Sequence, residues 1–353
     1  AEASGDAAAG LFGFRSDASG STLGLTACPE PRAQWWFTGG GAGLDHASTL
    51  DLVNVDPGPA VFDITVLGPD GPVETVGTKG ITLQPDSRKS IPLSDIAPQT
   101  DELALEVHAS RGRVVATVDD RYAAKAGAAQ GQEWLSGTDR PSRVVRLSGV
   151  PTKGDRTLEV ANPGDLEAVV DVKVAGRGGT FTPTGLQPLT VSPGSVQTVD
   201  LTTSLPGKEA VALRVTSRTP VLASMRTSTR SDHAYAGPVL PLAGPAAAPF
   251  PAGVPSTVQL TAGATGGRAR MTAYAARGRK LDGTTLRVPP NGTLSWSPSA
   301  NATRAGGYLV VAPSAGTKVS GAVSYEDGTD VATVPLTELP IRVERPAVRP
   351  GVR

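Results

Sequence analysis

Sulfur is nearly absent from this chain, which holds one cysteine, Cys28, and two methionines in 353 residues. A single thiol cannot build an internal disulfide framework or a thiolate zinc cage, both of which need several sulfurs. Net charge is missing too: Lys plus Arg and Asp plus Glu each number 33. No global field therefore draws the chain to nucleic acid or to an anionic membrane surface. No apolar stretch is long enough to span a bilayer, and helical spacing of apolar residues is nearly lacking. A membrane association is expected only through a segment absent from the chain. The sequence opens on Ala1 and not on methionine, which suggests a removed signal peptide, a removed membrane anchor or simply a cloning boundary, and an extracellular or cell-envelope location is the expectation.

What is abundant is turn chemistry. Gly numbers 42 and Pro 31, yet short Val- and Leu-rich runs recur between them, unlike the apolar-poor pattern of disordered chains. These runs repeat. Leu50 in Thr49-Leu50-Asp51-Leu52-Val53-Asn54 recurs as Leu158 in Thr157-Leu158-Glu159-Val160-Ala161-Asn162, 108 residues on. Pro85 in Leu83-Gln84-Pro85-Asp86-Ser87 recurs as Pro193 in Val191-Ser192-Pro193-Gly194-Ser195 at the same offset of 108. Ala60–Val66 likewise matches Ala168–Val174, and Leu103–Val107 matches Val211–Val215. A third, divergent copy runs through Thr257–Leu260, Met271–Tyr274, Leu286–Gly292, Leu294–Trp296 and Tyr308–Val311.

Within each copy apolar and polar residues alternate, as at Val170, Val172 and Val174, the period of a half-buried strand. Turn formers such as Asp70-Gly71, Pro193-Gly194 and Asp327-Gly328 divide each copy into about seven strands. Short antiparallel strands of this kind bury their alternate faces by packing two sheets together. The expected fold is all-β, three tandem immunoglobulin-like β-sandwich domains, with helix confined to brief turns near Ser94–Ala97. The boundaries follow: a flexible tether at 1–23, repeat 1 with its linker at 24–141, repeat 2 at 142–243, repeat 3 at 244–340 and a Pro/Arg tail at 341–353. Cys28 is expected as a small buried hydrophobe or a lone thiol in the first strand, or paired outside the chain, and Trp134 as a wedge between copies one and two.

Candidate chemistry is sparse. His108 lies in a predicted strand, opposite Leu105 and Val107, and reads as solvated. Asp45-His46 and Ser231-Asp232-His233 adjoin turns, and triad partners converge from separate loops instead of sitting side by side. Asp119-Asp120 and Glu326-Asp327 with Asp330 lack the regular carboxylate spacing of a calcium loop. Gly39-Gly40-Gly41-Ala42-Gly43 lacks the Lys-Ser/Thr ending of a phosphate loop and reads as flexible, and Arg277-Gly278-Arg279-Lys280 reads as a hairpin tip. No catalytic residue, metal site or cofactor is expected. Trp35 and Trp36 are adjacent on a strand and so face opposite ways. Either one ring enters the core and the other stands free to stack on a sugar or partner, or both are covered. Trp296 and Tyr274 join them as possible contact residues.

The Cys28-Pro29 segment, Trp35-Trp36-Phe37-Thr38-Gly39, Glu133-Trp134-Leu135 and the Val-Asp-Val run at Val170–Val172 carry a resemblance over nearly the whole chain. The chain resembles an uncharacterised family of secreted or membrane-anchored proteins of high-GC Gram-positive bacteria, a domain-of-unknown-function family of tandem β-sandwich repeats. The resemblance implies a location and no mechanism. The leading expectation is a non-catalytic extracellular or envelope scaffold or protein-interaction module whose partner is an envelope protein or polysaccharide. The alternatives are a carbohydrate-binding array using Trp35, Trp36, Trp296 and Tyr274, and an enzyme with an interdomain site drawn from His46, Asp119 and His233.

Overall fold

The computed structural model describes residues 10–17, 22–123, 131–207 and 209–339. The predicted Pro/Arg tail at 341–353 lies outside the described residues. An N-terminal hairpin, β1 (Phe14–Asp17) and β2 (Gly24–Ala27), comes first. The first unit follows with β3 (Gln34–Thr38), β4 (Thr49–Asn54), β5 (Ala60–Gly68), β6 (Gly71–Pro72), β7 (Ile81–Leu83), β8 (Ser87–Pro92), the one-turn helix α1 (Leu93–Ile96), β9 (Ala104–Arg111), β10 (Val115–Tyr122) and β11 (Gly131–Leu135). One sheet runs β3-β9-β5-β6 with β7 also on β5, and the other runs β11-β10-β4-β8. Leu50, Leu52, Phe62, Ile64, Leu105, Val107 and Val118 come from both sheets and share one core.

The second unit holds β12 (Ser142–Leu147), β13 (Asp155–Asn162), β14 (Ala168–Gly176), β15 (Gly179–Phe181), β16 (Leu189–Val191), β17 (Ser195–Asp200), β18 (Ala212–Ser228) and β19 (His233–Ala236). Here one 17-residue strand does the work of two. The first part of β18 pairs with β12 and β14, and its last part with β13 and β19.

The third unit holds β20 (Ala246–Phe250), β21 (Ser256–Ala262), β22 (Gly267–Tyr274), β23 (Lys280–Val288), β24 (Thr293–Trp296), the short helix α2 (Ala300–Ala305), β25 (Gly307–Pro313), β26 (Val319–Asp327), β27 (Asp330–Pro335) and β28 (Thr337–Glu338). Its sheets run β23-β22-β25-β20-β28 and β24-β21-β26-β27.

The same pairing thus occurs three times. β4, β13 and β21 each lie between a short partner (β8, β17, β24) and a long one (β10, the end of β18, β26). In the first unit the chain leaves β4 for β5 in the facing sheet before returning through β8 to pair with β4. Alternation explains the burial: Ala168, Val170, Val172 and Val174 of β14 are buried, while Val169, Asp171 and Lys173 between them are exposed.

The duplication extends to hydrogen bonds. Asn54 donates from Nδ2 to the carbonyls of Gly58, Leu83 and Gln84, and its Oδ1 accepts from the N–H of Asp56. Asn162 donates to Leu166, Val191 and Ser192 and accepts from Gly164, the same four bonds 108 residues on. Each buried amide closes the loop that leads from one sheet to the other, and an apolar side chain there would strand several carbonyls. The turns that follow need a left-handed residue, supplied by Asp86 (φ 52°), Gly194 (φ 66°) and Asn291 (φ 52°).

Several sequence expectations are corrected. Within the predicted tether, Phe14–Asp17 form a strand, and Leu23 is buried in the core of the third unit. Residues 133–135, expected in a linker, lie in β11 because Gly131–Leu135 pairs in register with Val118–Tyr122. Of the two readings of Cys28, buried hydrophobe or lone thiol, the structure shows a free and exposed thiol. Others hold: as expected, His108 is exposed with Leu105 and Val107 buried, and Glu326–Asp330 and Ala275–Arg279 close hairpin turns.

At Gly194 an added Cβ would come 2.8 Å from Pro72 of the first unit, besides adopting φ 66°. Gly194→Ala is expected to destabilise the protein by about 1–2 kcal/mol. Asp86→Gly, at the matching turn, should stay within about 0.5 kcal/mol. Denaturant midpoints of the two variants check the contrast.

Candidate functional site

The histidines converge only through a carboxylate that neither adjoins in sequence. Strand β10 alternates so that Ala116, Val118 and Asp120 point inward, which buries an acid completely. Asp120 Oδ1 accepts from Ser48 Oγ at 2.6 Å and lies 3.0 Å from His46 Nδ1. Its Oδ2 accepts from the Tyr235 hydroxyl at 3.0 Å, and His233 Nε2 stands 3.2 Å away. On the far side of the His46 ring, Arg226 reaches Nε2 at 3.0 Å. The Arg226 guanidinium also lies over the Tyr122 ring at 4.2 Å and 3.5 Å from the Glu159 carboxylate. Glu102, 3.9 Å away, is the partly exposed end of the chain of charges.

This knot is a junction. Ser48, His46, Asp120 and Tyr122 belong to the first unit, whereas Glu159, Arg226, His233 and Tyr235 come from β13, β18 and β19 of the second. Close approach is made possible by the glycine run before it, which is buried instead of flexible. At Gly39 (φ 112°) an added Cβ would lie 2.6 Å from the Tyr235 ring, and at Gly40 (φ 76°) 2.7 Å from Ser48 Oγ. Gly40 N–H donates to the Tyr235 oxygen and Gly41 N–H to Ser48 Oγ.

The electrostatics follow from burial. Burial alone would raise the Asp120 carboxyl, but the facing His46 and His233 rings outweigh it and hold Asp120 well below its ordinary value. Burial likewise lowers His233, partly offset by Asp120. Glu159 is pushed up to about 7 by burial, even with Arg226 beside it. Chemically, Ser48 donates its proton to Asp120 and not to an imidazole, and Tyr235 caps the other oxygen. Asp119, the neighbour expected at an interdomain site, points the other way. It accepts from Gln132 and lines an open groove of about 340 Å³ with Thr49, Asp51, Arg88, Ser90 and Arg121. Among the described residues no cluster of three or more His, Cys, Asp or Glu is arranged to hold a metal ion.

The aromatic candidates do not form one surface. Trp35 is 1% exposed and donates from Nε1 to the Val114 carbonyl inside the first core. Trp36, 7% exposed, faces the opposite way and packs with Leu67, Ala104, Ala161, Val196 and Leu222 between the first two units. The expectation of a freely exposed tryptophan therefore gives way to the reading in which both rings are covered. Trp134 sits not between copies one and two but under the N-terminal hairpin, with the Arg15 guanidinium 4.4 Å above its ring. Tyr274 is half-buried and stacks on Tyr308 at 5.3 Å, whereas Trp296 lies on the other sheet of that unit.

The model of a family of unknown function, DUF5719, matches residues 1–299. No curated protein matches the chain. Among solved structures, a chain from the entire lipid-containing bacteriophage PM2 is aligned over 86% of both chains at 9% identity with a TM-score of 0.13. That likeness is too slight to bear on the fold.

Arg226→Met should leave Glu159 and His46 Nε2 without their buried partner and destabilise the protein by about 3 kcal/mol, with part of the loss restored in the Arg226→Met/Glu159→Gln double variant. Because the folded protein holds the Glu159 proton up to about 7 against an ordinary 4.5, this group's contribution is complete below that ordinary value and is lost as pH rises through about 7. Glu159→Gln should therefore flatten the fall of unfolding free energy between about pH 5 and 7, by up to about 1.4 kcal/mol per pH unit. Urea titrations at stepped pH measure both effects.

Proposed function

We propose that this chain, which belongs to the family of unknown function DUF5719, is a non-catalytic scaffold or protein-interaction module of the cell exterior or envelope. The observation that carries the reading is the use made of the His, Asp, Ser and Arg side chains. Those types could serve hydrolysis, but here they are sealed between two units around one carboxylate, with Asp120 and His233 fully buried. A nucleophile needs a base that takes its proton and an opening for substrate. Ser48 instead donates a hydrogen bond to the Asp120 carboxylate, which its histidine neighbours hold well below its ordinary value and so make a weak base, at a buried junction. The three units, read as immunoglobulin-like sandwiches from their antiparallel strands and separate cores, then act as one stiff body that offers its outer surfaces to a partner. A polysaccharide-binding reading would rest on the half-buried Tyr274–Tyr308 stack and on Trp296, which do not share a face.

The test pairs turnover with binding. Across ester, glycoside and peptide substrates the purified chain should show no turnover above background. His233→Gln should lower its melting temperature by several degrees without changing any rate. Enzyme-like hydrolysis abolished by His233→Gln in a folded protein would overturn the proposal. Saturable binding to isolated cell-wall polysaccharide that is lost in Tyr274→Ala would replace it with the sugar-binding reading.

A further inference from the structure

Two strand edges face each other across the seam between the N-terminal hairpin and the third unit, and both present donors. The N–H groups of Leu23, just before β2, and of Leu25 on β2 bond into the seam; on β27 those of Val331 and Thr333 do so. The two edges are not hydrogen-bonded to each other, and each N–H left bare in a buried seam would cost about 1–3 kcal/mol. Two carboxylates fill the gap. Asp232 Oδ2 accepts from Leu23 at 3.0 Å and from Val331 at 2.9 Å. Glu133 accepts from Leu25 on Oε1 and from Thr333 on Oε2, each at 3.3 Å, and also from Trp134 at 2.9 Å. Asp232 comes from the turn before β19 and Glu133 from β11, so the hairpin is held by acids from the second and first units onto the third.

Neither acid has a cation within ion-pair distance among the described residues. The groups around them are mostly acidic or neutral. Asp330 of β27 repels Asp232, and the two acids repel each other. Asp120 sits opposite Glu133 in the β10–β11 register. Tyr325 of β26 lies near Glu133 with its hydroxyl committed to the Pro249 carbonyl. His233 follows Asp232 on β19 and is held neutral-leaning by burial. Arg15 of β1 lies over the Trp134 ring. Glu133 is fully buried and Asp232 is 3% exposed, while Asp232 Oδ1 has no partner. Two carboxylate charges this close, with no counter-charge, are costly in a dry seam.

We propose that Glu133 and Asp232 make the β1–β2 hairpin a proton-dependent strap, closed over β11 and β27 while both carboxyls are protonated and released as they ionise. In the closed state each acid is neutral, with its oxygens still accepting the N–H bonds. On opening, water reaches both groups, each gives its proton to solvent, and the resulting carboxylates are hydrated and repel one another. Burial raises Asp232 to about 7 and Glu133 well above its ordinary value, in the direction the device requires. As the closed form holds protons that the open form loses near ordinary carboxyl values, closure is favoured fully below those values and lost as pH rises through about 7. The strap reading stands apart from the proposed scaffold function, since neither depends on the other.

Hydrogen exchange on the intact chain tests it. The amides of Leu23 and Leu25 are followed from about pH 5 to 8, corrected for intrinsic base catalysis, beside the Val172 amide in the second core. The strap predicts that both hairpin amides are less protected than Val172 at every pH, showing local opening. It also predicts that their protection falls by at least about fivefold over that range, and by up to roughly a hundredfold. Asp232→Asn should lessen the fall. Protection equal to that of Val172, a fall smaller than fivefold, or an undiminished fall in folded Asp232→Asn would overturn the proposal. The first two outcomes are read on the unmodified protein and do not depend on the variant folding.

Discussion

A carboxylate that has left water must be answered by donors from somewhere, and in this protein the donors come from the neighbouring unit. Asp120 is met by Ser48 and His46 of its own unit but also by Tyr235 and His233 of the next. Glu133 takes N–H bonds from β11, the hairpin and the third unit. Desolvating such a group costs several kcal/mol, and that cost is offset only where its partners arrive with good geometry. The seams are therefore far more specific than apolar contact alone would make them, because a slip of one residue would leave a buried charge or a bare N–H. The apolar patch around Trp36 adds area to one seam; the acids decide its register.

The same economy explains why the middle unit differs from its neighbours. In the first unit β9 and β10 are separate strands in separate sheets, whereas β18 runs through both sheets of the second without a break. Its later part carries Arg226 to the knot, and β19 carries His233 and Tyr235 beside it. The second unit is in this way the one to which the others are fitted: Asp120 lies at one of its faces, and Gln259 and Thr333 of the third unit bond Gly149 and Val150 at another.

The repeat was legible because strands, turns and loop-closing amides recur at one spacing, and Asn54 with Asn162 shows how closely contacts follow that spacing. All-β architecture was equally readable from alternation. The seams were much harder to see. Asp120 falls in phase with Ala116 and Val118 on β10, a signal that an inward acid needed a partner, but its neighbour Asp119 was the one named for an interdomain site. Glu159 and Trp36 are out of phase with their core neighbours and look like surface residues in one sequence, since periodicity within a strand says nothing of what covers its outer face. The hairpin was missed for a related reason: its strands are only four residues each, and it is held by side-chain carboxylates instead of by a third strand.

Tandem domains usually form an open series in which each member touches only the next. Here the bond from Thr333 to Glu133 joins the third unit to the first, so the series returns to its beginning. An open series can lengthen by further duplication, because its last member always offers a free face like the one before. A closed one has no such vacancy at these seams. A fourth copy entering at these seams would have to displace a unit whose contacts already end on buried acids.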